Sequence, residues 1–315
     1  MNVKAVQKRL LFIVQSFGDT NTNRFFARNF SIPRTILLSS YQSIFQINLS
    51  NQSPNYSNMA KPTIVMVPGA WHKADIYSDV ASNLKKHDYP TISLPLPSAG
   101  ATPPHQNFDG DVAAIRKILE DLVSEGKEVV LVVHSYTGLP GGDAPKGLGR
   151  KEREASGLEG GVIRYVVING FTTPEGFRPA AEGDYSQIPD WMKMDLEKGV
   201  VNVLPEDAKR IFYNDLSSKK GDELAANLLP QSLGVYSSTA TYAAWKDISS
   251  TYLMGDIDQS SFVPEFAEMM IRGAQQAEPT AFDVVEHCKE GGHCLMISFP
   301  EWTADALRRA AGESF

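Results

Sequence analysis

The stretch Glu128-Val129-Val130-Leu131-Val132-Val133-His134-Ser135-Tyr136-Thr137-Gly138 restricts the fold more than any other part of the chain. Its first half is an apolar, β-branched run that starts after Gly126 and passes straight into small polar residues, the pattern of a strand buried on both faces. A serine at the end of such a strand, on a sharp turn into a helix, has its hydroxyl lifted off the sheet. The N–H of the next residue then faces the same space as one half of an oxyanion hole. Here those two residues are Ser135 and Tyr136. The turn is usually built G-x-S-x-G because bulky side chains two positions either side crowd it, and this chain has Val133 and Thr137 there. On this stretch alone, an ordinary serine in a strand-to-helix turn is an equally good reading.

The pattern around this strand predicts alternating elements from Thr63 onward. Thr63 to Val67 reads as a strand, Pro68 to Lys73 as a tight loop, and Ala74 to His87 as a helix with Ile76, Val80, Ala81 and Leu84 at helical spacing. A second strand, Thr91 to Leu94, leads into the loop from Pro95 to Gly100. A helix from about Phe108 to Glu125 then carries Val112, Ile115, Ile118, Leu119 and Leu122 on one face and stops at Gly126. After the serine-bearing strand come a helical piece from Leu139, a polar excursion from Lys146 to Gly160, and the strand Val162 to Asn169. Strand, helix, strand, helix with short connections predicts an α/β fold with a mostly parallel, doubly wound sheet. Residues 172–247 break the rhythm with apolar and aromatic side chains, among them Tyr185, Trp191, Phe212, Tyr213, Tyr236 and Trp245, and read as an inserted helical cap over an apolar pocket. Most of those side chains are expected to form the cap's own core. The sheet pattern resumes at Ser250 to Met254 and Phe282 to Val285, and the chain closes with a helix from Pro300 to Gly312, proline first and glycine last.

Charge divides the chain at Met59. Residues 1–58 carry +5, with six bases and only Asp19 as an acid, whereas the whole chain is −7 and the remainder therefore −12. An acidic body argues against a nucleic-acid partner, which needs a basic face, and none is expected. No apolar run approaches the length of a membrane span, so no membrane partner is expected. The leader, rich in Ser, Asn, Arg and Phe, reads either as a mitochondrial transit peptide or as sequence upstream of a native start at Met59, with residues 59–315 forming the folded domain. Cys288 and Cys294 are too few for a disulfide framework and lack zinc-site spacing, so a reducing, cytoplasmic setting and no metal are expected.

A serine nucleophile needs a base within hydrogen-bond reach and a carboxylate to orient it. Downstream of the cap, Thr251-Tyr252-Leu253-Met254-Gly255-Asp256-Ile257-Asp258 is a strand delivering two acids to the loop at its carboxyl end. Glu290-Gly291-Gly292-His293 is a second such loop. Serine, acid and histidine thus fall in that order on strand tips along one sheet edge, where ligands of such sheets bind. Asp256 and Glu175 compete with Asp258 for the acid. His134 is expected to point away from Ser135, and His287 to be structural.

With these stretches together, Val67-Pro68-Gly69-Ala70-Trp71-His72, His134-Ser135-Tyr136-Thr137-Gly138, Gly255-x-x-Asp258 followed by Pro264-Glu265-Phe266, and Gly292-His293, the chain resembles the α/β-hydrolase superfamily over about residues 62–312. Within it the similarity is to the small esterases that include plant methylesterases and hydroxynitrile lyases, especially their fungal relatives. The resemblance implies Ser135 as nucleophile, His293 as general base, Asp258 as orienting acid, and the backbone N–H groups of Ala70 and Tyr136 as the oxyanion hole, with no cofactor. Thr137 departs from the glycine usual in relatives. Trp71, His72, Thr137 and Trp191 are the expected pocket residues. The implied reaction is hydrolysis of a small hydrophobic carboxylic ester or lactone, secondary-metabolite esters entering by family analogy only. A lyase or C–C hydrolase using the same residues, with Lys73 or Thr137 as an added group, and a non-catalytic small-molecule receptor are the competing readings.

Overall fold

A computed structural model describes residues 60–315; the leader expected over 1–58 lies outside the described residues. In chain order the strands are β1 (Thr63–Val67), β2 (Thr91–Ser93), β3 (Glu128–His134), β4 (Gly161–Ile168), β5 (Met192–Asp195), β6 (Val200–Val203), β7 (Gln231–Ser232), β8 (Ser250–Gly255) and β9 (Val284–Cys288). Six of them form one parallel sheet in the order β2-β1-β3-β4-β8-β9. The apolar run of β3 sits at the sheet's centre because neither of its faces tolerates water, and every residue from Val129 to His134 is buried.

The chain leaves β1 to one side for β2 and returns on the other for β3, so a crevice opens between the carboxyl ends of β1 and β3, where ligands bind in such sheets. Register brings the tips level, with Val67 opposite Val133, His134 opposite Ile168, and Gly255 opposite Cys288. Helices cover the sheet. Asp109–Ser124 packs on β3, while Ser78–Lys85 packs with the final helix Pro300–Ala310. In Asp109–Ser124 the buried stripe Ile115, Leu119 and Leu122 also includes a carboxylate, Asp111.

Three elements differ from the sequence reading. The cap over 172–247 is not purely helical: helices Pro205–Ile211 and Ser218–Ala225 accompany a three-stranded antiparallel sheet, β5-β6-β7. The last strand runs Val284–Cys288 rather than from Phe282, because Phe282 takes a left-handed φ of 48° and spends its N–H on Ser250 Oγ at 2.7 Å, acting as a turn residue. The polar excursion after Lys146 contains a short helix, Arg150–Ala155.

Candidate active site

Ser135 stands where β3 stops, at the head of a 3-10 turn, Ser135–Gly138, with φ of +57°. A non-glycine residue pays for that conformation with about 1–3 kcal/mol, so the surrounding packing has to enforce it. Gly69 of the β1 loop lies so close that a Cβ there would meet Ser135 Cβ at 2.8 Å. The bulk at Val133 and Thr137 is accommodated by a glycine elsewhere: a Cβ at Gly141, in the helical turn Pro140–Asp143, would meet Val133 Cγ1 at 2.4 Å and Thr137 Cγ2 at 3.6 Å. The space that the usual motif opens at its own glycines is opened here from the opposite side.

Ser135 Oγ lies 3.1 Å from His293 Nε2, and His293 Nδ1 lies 2.8 Å from Asp258 Oδ2. Nδ1 has an acceptor carboxylate, so it carries the proton and leaves Nε2 free to accept from the serine. All three residues are buried, Ser135 being the least so at 7% exposure. The rival acids are engaged elsewhere. Asp256 pairs with His287 Nδ1 at 2.7 Å on the surface, and Glu175 with Lys246 at 3.0 Å.

Three further side chains hold this line: Ser260 and Asn169, which the sequence reading did not single out, and His134, which it placed only as pointing away from Ser135. Ser260 Oγ is 3.0 Å from His293 Nδ1, and its N–H donates to Asp258 Oδ1 at 2.7 Å. Asn169, at φ 39° past the end of β4, donates from Nδ2 to the carbonyls of Gly292 and His293 at 2.9 and 3.0 Å and accepts from Gly255 N–H at 2.8 Å. It therefore ties the histidine loop to the acid strand. His134 accepts from Gly69 N–H at 3.2 Å through Nδ1 and donates from Nε2 to the His293 carbonyl at 3.1 Å. Burial above all, then its neighbours His293 and His72, hold its pKa well below the ordinary value, so it is a neutral strut. The Asp-x-Ser spacing at 258–260 was the one visible sign of these supports, since an acid commonly accepts from the N–H two residues on.

In the loop after β1, Gly69 donates to His134, Trp71 to Gln231 Oε1 at 3.3 Å, and His72 to the Gly69 carbonyl at 3.4 Å; the N–H groups of Ala70 and Lys73 have no acceptor among the described residues. Tyr136 lies in the first turn of its helix, where N–H groups find no partner within the helix. Ala70 follows Gly69, which approaches Ser135 closely, and Tyr136 follows Ser135 in the chain.

The expected pocket residues divide. Trp71 and Trp191 meet edge to face with centroids 5.7 Å apart, and Phe212 lies 5.6 and 5.5 Å from them. Phe212 is also 5.4 Å from the His293 ring, and Phe262 stacks on that ring at 6.0 Å. These rings form an aromatic wall beside the base. Thr137 and His72, by contrast, have their polar atoms turned into the fold. The Thr137 hydroxyl donates to the Pro68 carbonyl, which removes it as a group facing substrate. His72 Nδ1 donates to the Ala70 carbonyl at 2.8 Å and Nε2 accepts from Tyr213 OH at 2.9 Å, so neither ring nitrogen is free. Burial pulls its pKa down to about 4, against the opposing pull of the Ala70 carbonyl, with the nearby His293 lowering it further.

The sequence model described as the alpha/beta hydrolase family matches residues 64–306. A protein of Aspergillus novofumigatus called alpha/beta hydrolase nvfD is 35% identical over 257 residues, covering 81% of this chain and 99% of that one. Among solved structures, polyneuridine aldehyde esterase superposes with a TM-score of 0.60 at 18% identity, covering 79% of this chain and 98% of the other. The methylesterase MES16 from Arabidopsis does so with 0.59 at 18%, covering 80% and 99%.

Proposed function

The chain belongs to the alpha/beta hydrolase family, and from that membership we propose that it is a serine hydrolase cleaving a small hydrophobic carboxylic ester or lactone through an acyl-enzyme. The observation that carries this reading is the unbroken line from Ser135 Oγ through both nitrogens of His293 to Asp258. His293 Nε2 takes the serine proton as Oγ attacks the ester carbonyl, and Asp258 stabilises the imidazolium and fixes its tautomer. The developing oxyanion is held by the N–H groups of Ala70 and Tyr136, aimed beforehand at the charge. His293 then gives its proton to the leaving alcohol, and water, activated the same way, releases the acid. The aromatic wall of Trp71, Trp191, Phe212 and Phe262 favours an apolar substrate. That two solved neighbours are named as esterases supports the ester over other acyl substrates.

The lyase reading loses its two added groups, since Lys73 is exposed and the Thr137 hydroxyl is bound to Pro68. A panel of esters and lactones, run on wild type and Ser135→Ala with fluorophosphonate labelling alongside, tests the proposal. Turnover and labelling are expected for wild type only, with a loss of about 10⁴-fold or more in the variant. Ser135→Ala activity within about tenfold of wild type would reject it.

A further inference from the structure

Behind the two oxyanion donors runs one buried line of hydrogen bonds that the triad does not use. Gln231, on β7 of the cap, accepts the Trp71 N–H at its Oε1 and donates from Nε2 to Ser98 Oγ at 2.7 Å. Ser98 Oγ donates to Asp111 Oδ2 at 2.6 Å, and its backbone N–H to Asp111 Oδ1 at 2.9 Å. Asp111 Oδ2 also accepts from Tyr136 OH at 2.7 Å. Ser98, Asp111 and Gln231 are fully buried. The line therefore starts at the residue after Ala70 and ends on the side chain of Tyr136, and its members come from five separate segments of the chain.

Two physical points give the line a purpose. The Ala70–Trp71 peptide is held at both ends, its carbonyl by His72 and its N–H by Gln231, so the direction of the neighbouring Ala70 N–H is set by what grips that peptide. Trp71 needs the grip, because its φ of +66° is costly for a large side chain. Asp111, for its part, is a carboxylate with no ion-pair partner among the described residues, and burial raises its pKa against the hydrogen bonds from Ser98 and Tyr136. An apolar side chain at that place in the helix stripe would stabilise the fold more simply. Retaining the carboxylate makes sense where its geometry is used.

Building on the serine-hydrolase reading above, we infer that Gln231, Ser98 and Asp111 are positioning residues that hold the Ala70 and Tyr136 N–H groups in mutual register as an oxyanion hole. Through Gln231 they also make that register depend on the seating of the cap. Misaligned donors weaken binding of the tetrahedral state, in which the carbonyl π pair has moved onto oxygen and the serine proton onto His293, while the planar ester is bound as before.

Two variants test this: Tyr136→Phe, which keeps the ring on Tyr236 and loses only the hydroxyl, and Gln231→Met, which keeps the volume and loses both hydrogen bonds. Each is measured with the best ester of the panel and with a trifluoromethyl ketone of matching shape, which Ser135 adds to as a tetrahedral mimic. In each folded variant kcat is expected to fall about 10- to 100-fold, short of the loss of a whole oxyanion donor, with KM within about threefold. The ketone's inhibition constant should rise by the factor that kcat/KM falls. A loss of packing alone would not move those two quantities together. If one variant fails to fold, the other carries the test. Unchanged kcat, or a fall in kcat with unchanged ketone affinity, overturns the inference. Ser135→Ala separates the two levels: if it stays active the serine-hydrolase reading itself is wrong, whereas an inactive Ser135→Ala beside fully active Tyr136→Phe and Gln231→Met sinks only the positioning network.

Discussion

Asp256 and Asp258 stand two residues apart at the tip of one strand, yet they meet different histidines. The first pairs with exposed His287 and the second with buried His293. Alternation along an extended backbone would have put both acids on one side; instead the turn after Gly255, where the Asp258 N–H bonds back to the Gly255 carbonyl at 3.2 Å, separates them. Asp258→Asn is therefore expected to cost about 10⁴-fold in kcat by leaving the His293 tautomer unguided, while Asp256→Asn and Glu175→Gln stay within about threefold. Steady-state kinetics on the three variants decides it, and a ranking with Asp256 or Glu175 as the most damaging would disprove the assignment. At this scale the chain order of serine, acid and histidine was readable, because each lies where a strand ends. Asn169 and Ser260 were not, because a lone polar residue at a strand end has many ordinary uses and only the converging carbonyls and ring nitrogen reveal these two.

The elbow shows how elements compensate one another. Periodicity located β3 and its turn, but nothing in the local pattern explained how Val133 and Thr137 fit, since the relief comes from Gly141 on the following helical turn. The same locality hid the cap sheet: strands of two to four residues are too short for a two-residue period to stand out against neighbouring helical spacing. Gly141→Ala is expected to destabilise the protein by about 1–3 kcal/mol through the overlap with Val133 Cγ1, a case of overpacking. Val133→Ala removes the obstructing methyl groups, so the double variant should lose distinctly less than the two single losses added together. Urea unfolding of the four proteins gives the coupling, and strict additivity would mean that Gly141 is not what makes room for the elbow.

For the molecule as a whole, alternating strand and helix patterns were enough to predict a covered parallel sheet, and the carboxyl edge followed from that topology. Its cost could not be read in the same way, because it depends on which ionisable groups end up dry. Two histidines do. His72, bonded to Tyr213 of the cap, and His134, bonded to the His293 carbonyl, are buried, and burial holds both neutral, His72 with a pKa of about 4. In the unfolded chain each would titrate near 6.5. Between those values the unfolded state binds the extra proton, so stability falls as the pH drops from about 6.5 toward 4 and is fully present above that window. For His72 the share lost by pH 5 is on the order of 2 kcal/mol. Removing that group should flatten the profile: the stability that His72→Gln loses between pH 7 and pH 5, measured by urea unfolding, is expected to be smaller than the wild-type loss by about that amount. Because His134 contributes with the same sign, some acid sensitivity should persist in the variant. Equal losses in the two proteins would mean that His72 is not held neutral in the fold, and that its place in clamping the Ala70 carbonyl to Tyr213 has been misread.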